Sequence, residues 1–237
     1  MTTPTRLLIH GANGRMGQAL LRLCAEQNGP CAIAGAVSRG KVGQRVIAGV
    51  PQFAASELNG APVFDVAIDF SLPEGFDAIL ALCVERGVAL VSGTTSLSEA
   101  QRAALQAASE RIPVLWAANF SLGVAVLSEL VERAAAALPG WDCDIVEAHH
   151  AQKKDAPSGT ALALGVSAEQ GGAQPRYASL RAGDIVGEHT VQFTTLGERI
   201  ELIHRAGNRD IFARGALHAA SRLRGQSPGL YQLRDLI

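Results

Sequence analysis

Apolar positions along this chain fall into two rhythms that take turns. Arg6 to His10 is a short apolar run, followed by Gly11-Ala12-Asn13-Gly14 and then by Met16, Ala19, Leu20, Leu23 and Cys24 at helical spacing, which predicts strand, turn and helix. Cys31 to Val37 and Val63 to Phe70 read as strands, and the second leads into a helix with Phe76, Ile79, Leu80, Cys83 and Val84 on one face. Val88 to Ser92 is again strand-like. The next helix starts near Ser98, where Ser98 and Gln101 have capping-box spacing, and runs to about Glu110 before Pro113 and a strand from Val114 to Ala117. Parallel strands need crossovers that are usually helical, so this alternation predicts a doubly wound α/β domain.

Beyond it the pattern changes. A helix is predicted over Gly123 to Leu138, a strand over Asp142 to His149 and a helix over Thr160 to Glu169. The strands Thr190 to Thr195 and Arg199 to Arg205 then flank Leu196-Gly197-Glu198 as a hairpin. A last helix, Ala213 to Leu223, precedes Ser227-Pro228-Gly229 and an apolar segment that could return to the first domain. Glu169 to Pro175 reads as a loop.

Charge narrows the partners. Lys+Arg 21 against Asp+Glu 22 leaves a net charge of -1, with no whole-molecule field to draw the chain onto nucleic acid or an anionic membrane, so a small ligand is expected. The four cysteines are scattered, with spacing for neither a zinc site nor a disulfide framework. No apolar stretch approaches the roughly 20 residues of a membrane span, and the first residues do not read as a signal peptide; the expectation is a cytoplasmic protein.

Gly11-Ala12-Asn13-Gly14-Arg15-Met16-Gly17 sits where the first strand turns into the first helix, where a pyrophosphate can meet exposed N–H groups and the positive end of the helix dipole. Gly11 permits the turn, Gly14 keeps bulk from the phosphates and Gly17 permits close packing. Asn13 departs from strict G-x-G-x-x-G, but asparagine tolerates a left-handed backbone. The same glycines serve as a plain tight turn elsewhere; the strand before and helix after favour a dinucleotide, and with it a Rossmann-type domain. No acid closes the second strand, which runs into Ser38-Arg39 and then Lys41. Arg39, with Arg15 near, suits a 2′-phosphate and hence NADPH, and equally suits a solvated loop. Gly93-Thr94-Thr95 and Ala117-Ala118-Asn119-Phe120 each follow a predicted strand at the carboxyl edge, where they either face the nicotinamide end or simply turn the chain.

The densest polar cluster runs from Glu147 to Thr160. His149 and His150, adjacent on a strand, point to opposite faces and do not chelate one metal, so no metal site is expected. Histidine suits proton donation near neutral pH and a nearby lysine can orient an anion, which makes His149 and Lys153 the catalytic candidates. Ser158-Gly159-Thr160 opens a helix, where hydroxyls and N–H groups would stabilise a carboxylate. An ordinary helix cap is the alternative for Ser158.

These motifs resemble the dihydrodipicolinate reductase (4-hydroxy-tetrahydrodipicolinate reductase) family of the bacterial diaminopimelate and lysine pathway. The family signature E-[IV]-x-E-x-H-x-x-x-K-x-D-x-P-S-G-T-A matches Asp144 to Ala161 except at its first position, and Arg181 to Thr190 and Gly229 to Asp235 also look like the family. The resemblance implies NADPH or NADH as cofactor and reduction of a cyclic imine dicarboxylate with loss of water. It implies His149 as proton donor and Lys153 as second donor, with His150, Gly159 and Thr160 on the substrate. Cofactor contacts would come from Gly11 to Met16, Gly93 to Thr95, Ala117 to Phe120 and, at the 2′-phosphate, Arg39. Some relatives carry an acid where this chain has Ser38, which tilts the choice to NADPH. A homotetramer built through the second domain's sheet is implied too, although Ala168 to Ser179 looks shorter than in several relatives. The expected organisation is residues 1–121 with 209–237 as dinucleotide-binding domain and 122–208 as a smaller α+β domain with a mixed or open sheet, for substrate and oligomerisation. Another two-domain dehydrogenase, or an NAD(P)-sensing regulator without turnover, is the competing reading.

Overall fold

The computed structural model describes residues 3–26, 29–40 and 43–237. The chain divides into two units, Met1–Phe120 with Phe212–Ile237, and Ser121–Ile211. The first holds β1 (Thr5–His10), α1 (Arg15–Glu26), β2 (Cys31–Ser38), β3 (Val46–Ile47), β4 (Val50–Ala54), β5 (Val66–Asp69), α2 (Pro73–Arg86), β6 (Ala89–Ser92), α3 (Glu99–Ser109) and β7 (Pro113–Trp116). The second begins at Ser121 and holds all of α4 to β11: α4 (Leu122–Ala137), β8 (Asp142–His149), α5 (Gly159–Gln170), β9 (Pro175–Arg181), β10 (Glu188–Thr195) and β11 (Glu198–Arg205). Helix α6 (Asp210–Leu223) belongs to the first from Phe212 onward, and β12 (Gly229–Tyr231) completes it.

The sheet of the first unit runs β12-β7-β6-β5-β1-β2-β4-β3, parallel throughout except for the β3–β4 pair. β2 lies to one side of β1 and β5 to the other, so the order reverses at β1, where open α/β sheets leave a crevice at the strands' carboxyl ends. Strands covered on both faces cannot alternate, and β5 and β6 bury every side chain. Local chemistry ends the helices: Ser98 and Gln101 form the expected capping box on α3, while α2 has Pro73 in its first turn and stops at Gly87 in the left-handed region. Strand β4 carries Pro51 and was absent from the sequence expectation, because proline weakens a strand reading.

The sheet of the second unit runs β11-β10-β8-β9; β8 pairs antiparallel with β10 and parallel with β9, which makes it mixed. Cys143, Ile145, Val191 and Phe193 alternate onto one face and pack with Leu127, Val131 and Leu164 of the two helices. Burying side chains of this size stabilises by about 1.5–3 kcal/mol each. The segment from Pro175 was expected only as a loop's end; it is a strand, mostly exposed at the sheet edge, where an initial proline costs no ladder bond. The β10–β11 turn is confined to Leu196-Gly197, and Glu198, expected in the turn, already pairs with Thr195.

Candidate active site

At the crest of the first sheet the glycine loop is shaped by close backbone approach. Gly11 has φ +81°, and a Cβ there would stand 2.4 Å from the Phe70 carbonyl oxygen; one on Gly17 would stand 2.4 Å from the Gly11 carbonyl oxygen. The N–H groups of Gly11 and Ala12 both donate to the Val37 carbonyl at 3.0 Å, fastening the loop to β2. Gln18 N–H closes on the Gly14 carbonyl at 2.9 Å, and the N–H groups before it belong to the first turn of α1, which has no intrahelical acceptors. Asn13 does not use the left-handed backbone invoked for it: among the described residues only Ala48 and Ser96 do so without being glycine. The strain is carried by Gly11 instead. Asn13, Gly14, Arg15 and Arg39 are exposed and Met16 is half-buried. Lys41 lies outside the described residues. Ser38 is buried at the end of β2 with its hydroxyl unpartnered.

A buried carboxylate ties three strand ends together here. Asp69, fully buried, accepts from His10 Nδ1 at 2.8 Å, from the Ser71 N–H at 3.1 Å and from the hydroxyls of Ser92 at 2.8 Å and Thr94 at 2.7 Å. Burial works to raise its pKa, but the hydrogen bonds, His10's first, outweigh it and hold the carboxyl below its ordinary range. Thr94 therefore turns its hydroxyl inward, while its carbonyl takes the Trp116 indole N–H at 2.9 Å. Gly93 makes room for the Phe70 ring, which a Cβ would meet at 2.2 Å, and Phe70 in turn packs edge-on against buried Phe120 at 5.3 Å. Thr95 and Ala118 remain exposed, and Ala117 and Asn119 half-buried.

In the second unit the helix-covered face of the sheet changes character at its upper end. Alternation from Cys143 and Ile145 brings Glu147 and His149 onto the same face, and register sets His189 opposite Glu147 and His204 opposite His189. Glu147, with no side-chain exposure, accepts His149 Nδ1 at 2.5 Å, the Ser158 N–H at 3.2 Å and both terminal nitrogens of Arg181 at 2.8 and 2.6 Å. Burial opposes its charge, but the hydrogen bonds from Arg181, Ser179 and His149 prevail and hold its pKa down to about 2. An ionised carboxylate only accepts, so Nδ1 of His149 is a donating N–H and Nε2 is the nitrogen left for chemistry. Gly187 lies over that edge: a Cβ there would stand 3.0 Å from Nε2.

His189 packs edge-on to His149 at 5.2 Å and bonds the Ser158 hydroxyl at 3.2 Å; burial, then the charges of His149 and His204, push its pKa down to about 4. His204 bonds the Ser121 hydroxyl at 3.2 Å. Ser158 caps α5 through the Ala161 N–H at 3.1 Å and is buried, whereas Gly159 is exposed and Thr160 and His150 are half-buried. Lys153 pairs with Asp155 at 2.8 Å in the loop after β8. Sequence reasoning passed over Glu147, Arg181, His189 and His204 as functional residues. Only Glu147 left a local signal, two positions before His149 on one strand face.

One family model, dihydrodipicolinate reductase, N-terminus, matches residues 5–120, and a second, dihydrodipicolinate reductase, C-terminus, matches residues 123–237. The chain belongs to the dihydrodipicolinate reductase family. The 4-hydroxy-tetrahydrodipicolinate reductase of Stenotrophomonas maltophilia strain K279a is 74% identical over 99% of this chain and 98% of its own, and that of Xylella fastidiosa strain 9a5c is 62% identical over 98% of both. A dipicolinate-bound dihydrodipicolinate reductase from Paenisporosarcina sp. TG-14 shares the fold with TM-score 0.83 at 21% identity over 99% of this chain and all of that one. The diaminopimelate dehydrogenase of C. glutamicum superposes at TM-score 0.61 and 14% identity over 100% of this chain and 95% of that one. Folds of this kind thus serve other dehydrogenases; the paired family models and the full-length relatives make this chain a reductase. Among the described residues no helix is long and apolar enough to cross a membrane.

Proposed function

We propose that this reductase converts 4-hydroxy-tetrahydrodipicolinate to tetrahydrodipicolinate with NAD(P)H and loss of water, His149 giving the proton and Lys153 acting as second donor. The observation that carries the reading is the Nδ1 contact of His149 with Glu147, which keeps Nδ1–H on the carboxylate, so that the imidazolium form holds its second proton on Nε2 and gives that one, returning to the neutral Nδ1–H ring. A bound nicotinamide supplies the hydride. The glycine loop, whose backbone approaches too closely at Gly11 and Gly17 to admit a side chain, and the orphaned Ser38 hydroxyl fit a dinucleotide. Residues 11–16, 93–95 and 117–120 would hold it through loop backbone, since Thr94 and Phe120 bury their side chains. Exposed Arg39, with no acid beside it, favours NADPH.

The first turn of α5, with Gly159, Thr160 and the neighbouring His150, would take a carboxylate of the substrate, and Ser158 supports that turn as its cap. We read residues 1–121 with 209–237 as the cofactor domain and 122–208 as the substrate and assembly domain. The face of the second sheet away from α4 and α5 leaves Val146, Leu180 and Ile203 exposed, which fits burial against another copy of the chain; we read the assembly as a homotetramer and its place as the cytoplasm.

The test is oxidation of NADPH, and separately NADH, with substrate generated by a coupled synthase. The wild-type chain turns over, faster with NADPH, and His149→Ala loses on the order of 10³-fold in kcat while still binding cofactor. Tight dinucleotide binding without turnover would return the regulator reading.

A further inference from the structure

Arg181 joins the two segments that carry the proposed donors. Its terminal nitrogens reach both carboxylate oxygens of Glu147, at 2.8 and 2.6 Å, and each makes a second bond, to the Leu180 carbonyl at 2.7 Å and the Asp155 carbonyl at 2.6 Å. Glu147 is the partner of His149, and Asp155 the partner of Lys153. We propose that Arg181 is a positioning residue for proton transfer, holding His149 through Glu147 and Lys153 through the Asp155 segment, and this rests on the assignment of those two side chains as donors.

The geometry explains why an arginine is needed. With both oxygens taken by a planar fork, the Glu147 carboxylate cannot turn away from Nδ1 of His149, and the imidazole keeps one orientation. The terminal nitrogen that meets Oε1 of Glu147 has a second N–H, which donates to the main-chain carbonyl of Asp155 and ties the loop after β8 to the strand. A lysine supplies the charge but no fork. The charge has its own effect: it offsets that of Glu147, which otherwise acts on His149 alone. The titratable groups about this centre are Glu147 and His149 on β8, Arg181 on β9, His189 on β10 with His204 behind it on β11, and Lys153 and Asp155 in the loop.

Two substitutions separate fork from charge. Arg181→Lys is expected to lower kcat roughly tenfold to a hundredfold through misplacement of the donors, with the KM for NADPH and the alkaline limb of the kcat–pH profile unmoved. Arg181→Met, which also removes the charge, is expected to shift that limb upward by about one pH unit, because the uncompensated Glu147 carboxylate then holds the donor's proton more tightly. Should Arg181→Met fail to fold, the double variant Glu147→Gln/Arg181→Met leaves no lone buried charge, and its limb is expected to move below that of the wild type. The inference is overturned if Arg181→Lys keeps wild-type kcat, or if the limb stays fixed when the charge is lost. Either result with an active wild-type enzyme leaves the reaction assignment intact; an inactive wild-type enzyme overturns both.

Discussion

Both units bury a carboxylate that takes a histidine Nδ1, Asp69 with His10 in the first and Glu147 with His149 in the second, and both place a glycine against the far side of the ring. What surrounds the pairs differs. Asp69 is completed by neutral donors, the Ser92 and Thr94 hydroxyls and the Ser71 N–H, all at the ends of strands or just beyond them. Glu147 is completed by a guanidinium, and its histidine stands beside a second histidine. The first arrangement knots β1, β5 and β6 together below the glycine loop; the second gathers titratable groups around an imidazole whose free nitrogen is available. A carboxylate–histidine contact is therefore no mark of catalysis by itself. On the proposed role of His149, the neighbours of such a contact decide whether it is a tie or a proton device.

The largest expected effect tests the tie. Asp69→Ala strands a buried histidine and two hydroxyls, and urea denaturation should show a loss of about 4 kcal/mol with the folded fraction still turning over. If Asp69→Ala instead kept its stability and lost turnover, the two pairs would have to be read alike.

Acid should expose the second pair. His189 has a folded pKa near 4 against 6.5 when unfolded, so between those values the unfolded chain binds a proton that the native one refuses. Stability is full above about pH 6.5 and falls as the pH drops toward 4, by on the order of 3 kcal/mol. Glu147, held to about 2 from 4.5, adds a further loss below pH 4.5. His189→Phe should flatten the upper part of this fall in thermal melts taken across the range.

The finest discrimination lies in the two glycines. Gly75→Ala crowds His10, where a Cβ would stand 3.0 Å from Cε1, and should cost about 1 kcal/mol of stability without changing kcat. Gly187→Ala crowds Nε2 of His149 and should lower kcat several-fold at near wild-type stability. Equal effects of the two on kcat would erase the distinction between the pairs.

The amino-acid sequence determined by itself what short-range rules govern. Strand–helix alternation gave the doubly wound sheet, Ser98 with Gln101 marked a helix start, and Asp142–His149 was read with the boundaries observed. The glycine loop and the His149–Lys153 segment were legible because their spacing is local, within one strand, one turn or one loop. Strands β4 and β9 were not, since each carries a proline and their ladders come from partners distant in the chain. Only the tertiary structure decided that Arg181 meets Glu147 across 34 positions, that His189 and His204 align behind them, and that Asp69 gathers His10, Ser92 and Thr94. Those meetings depend on the register between strands. A slip of one residue would turn each of these side chains to the opposite face, and no local spacing records which register the packed core selects.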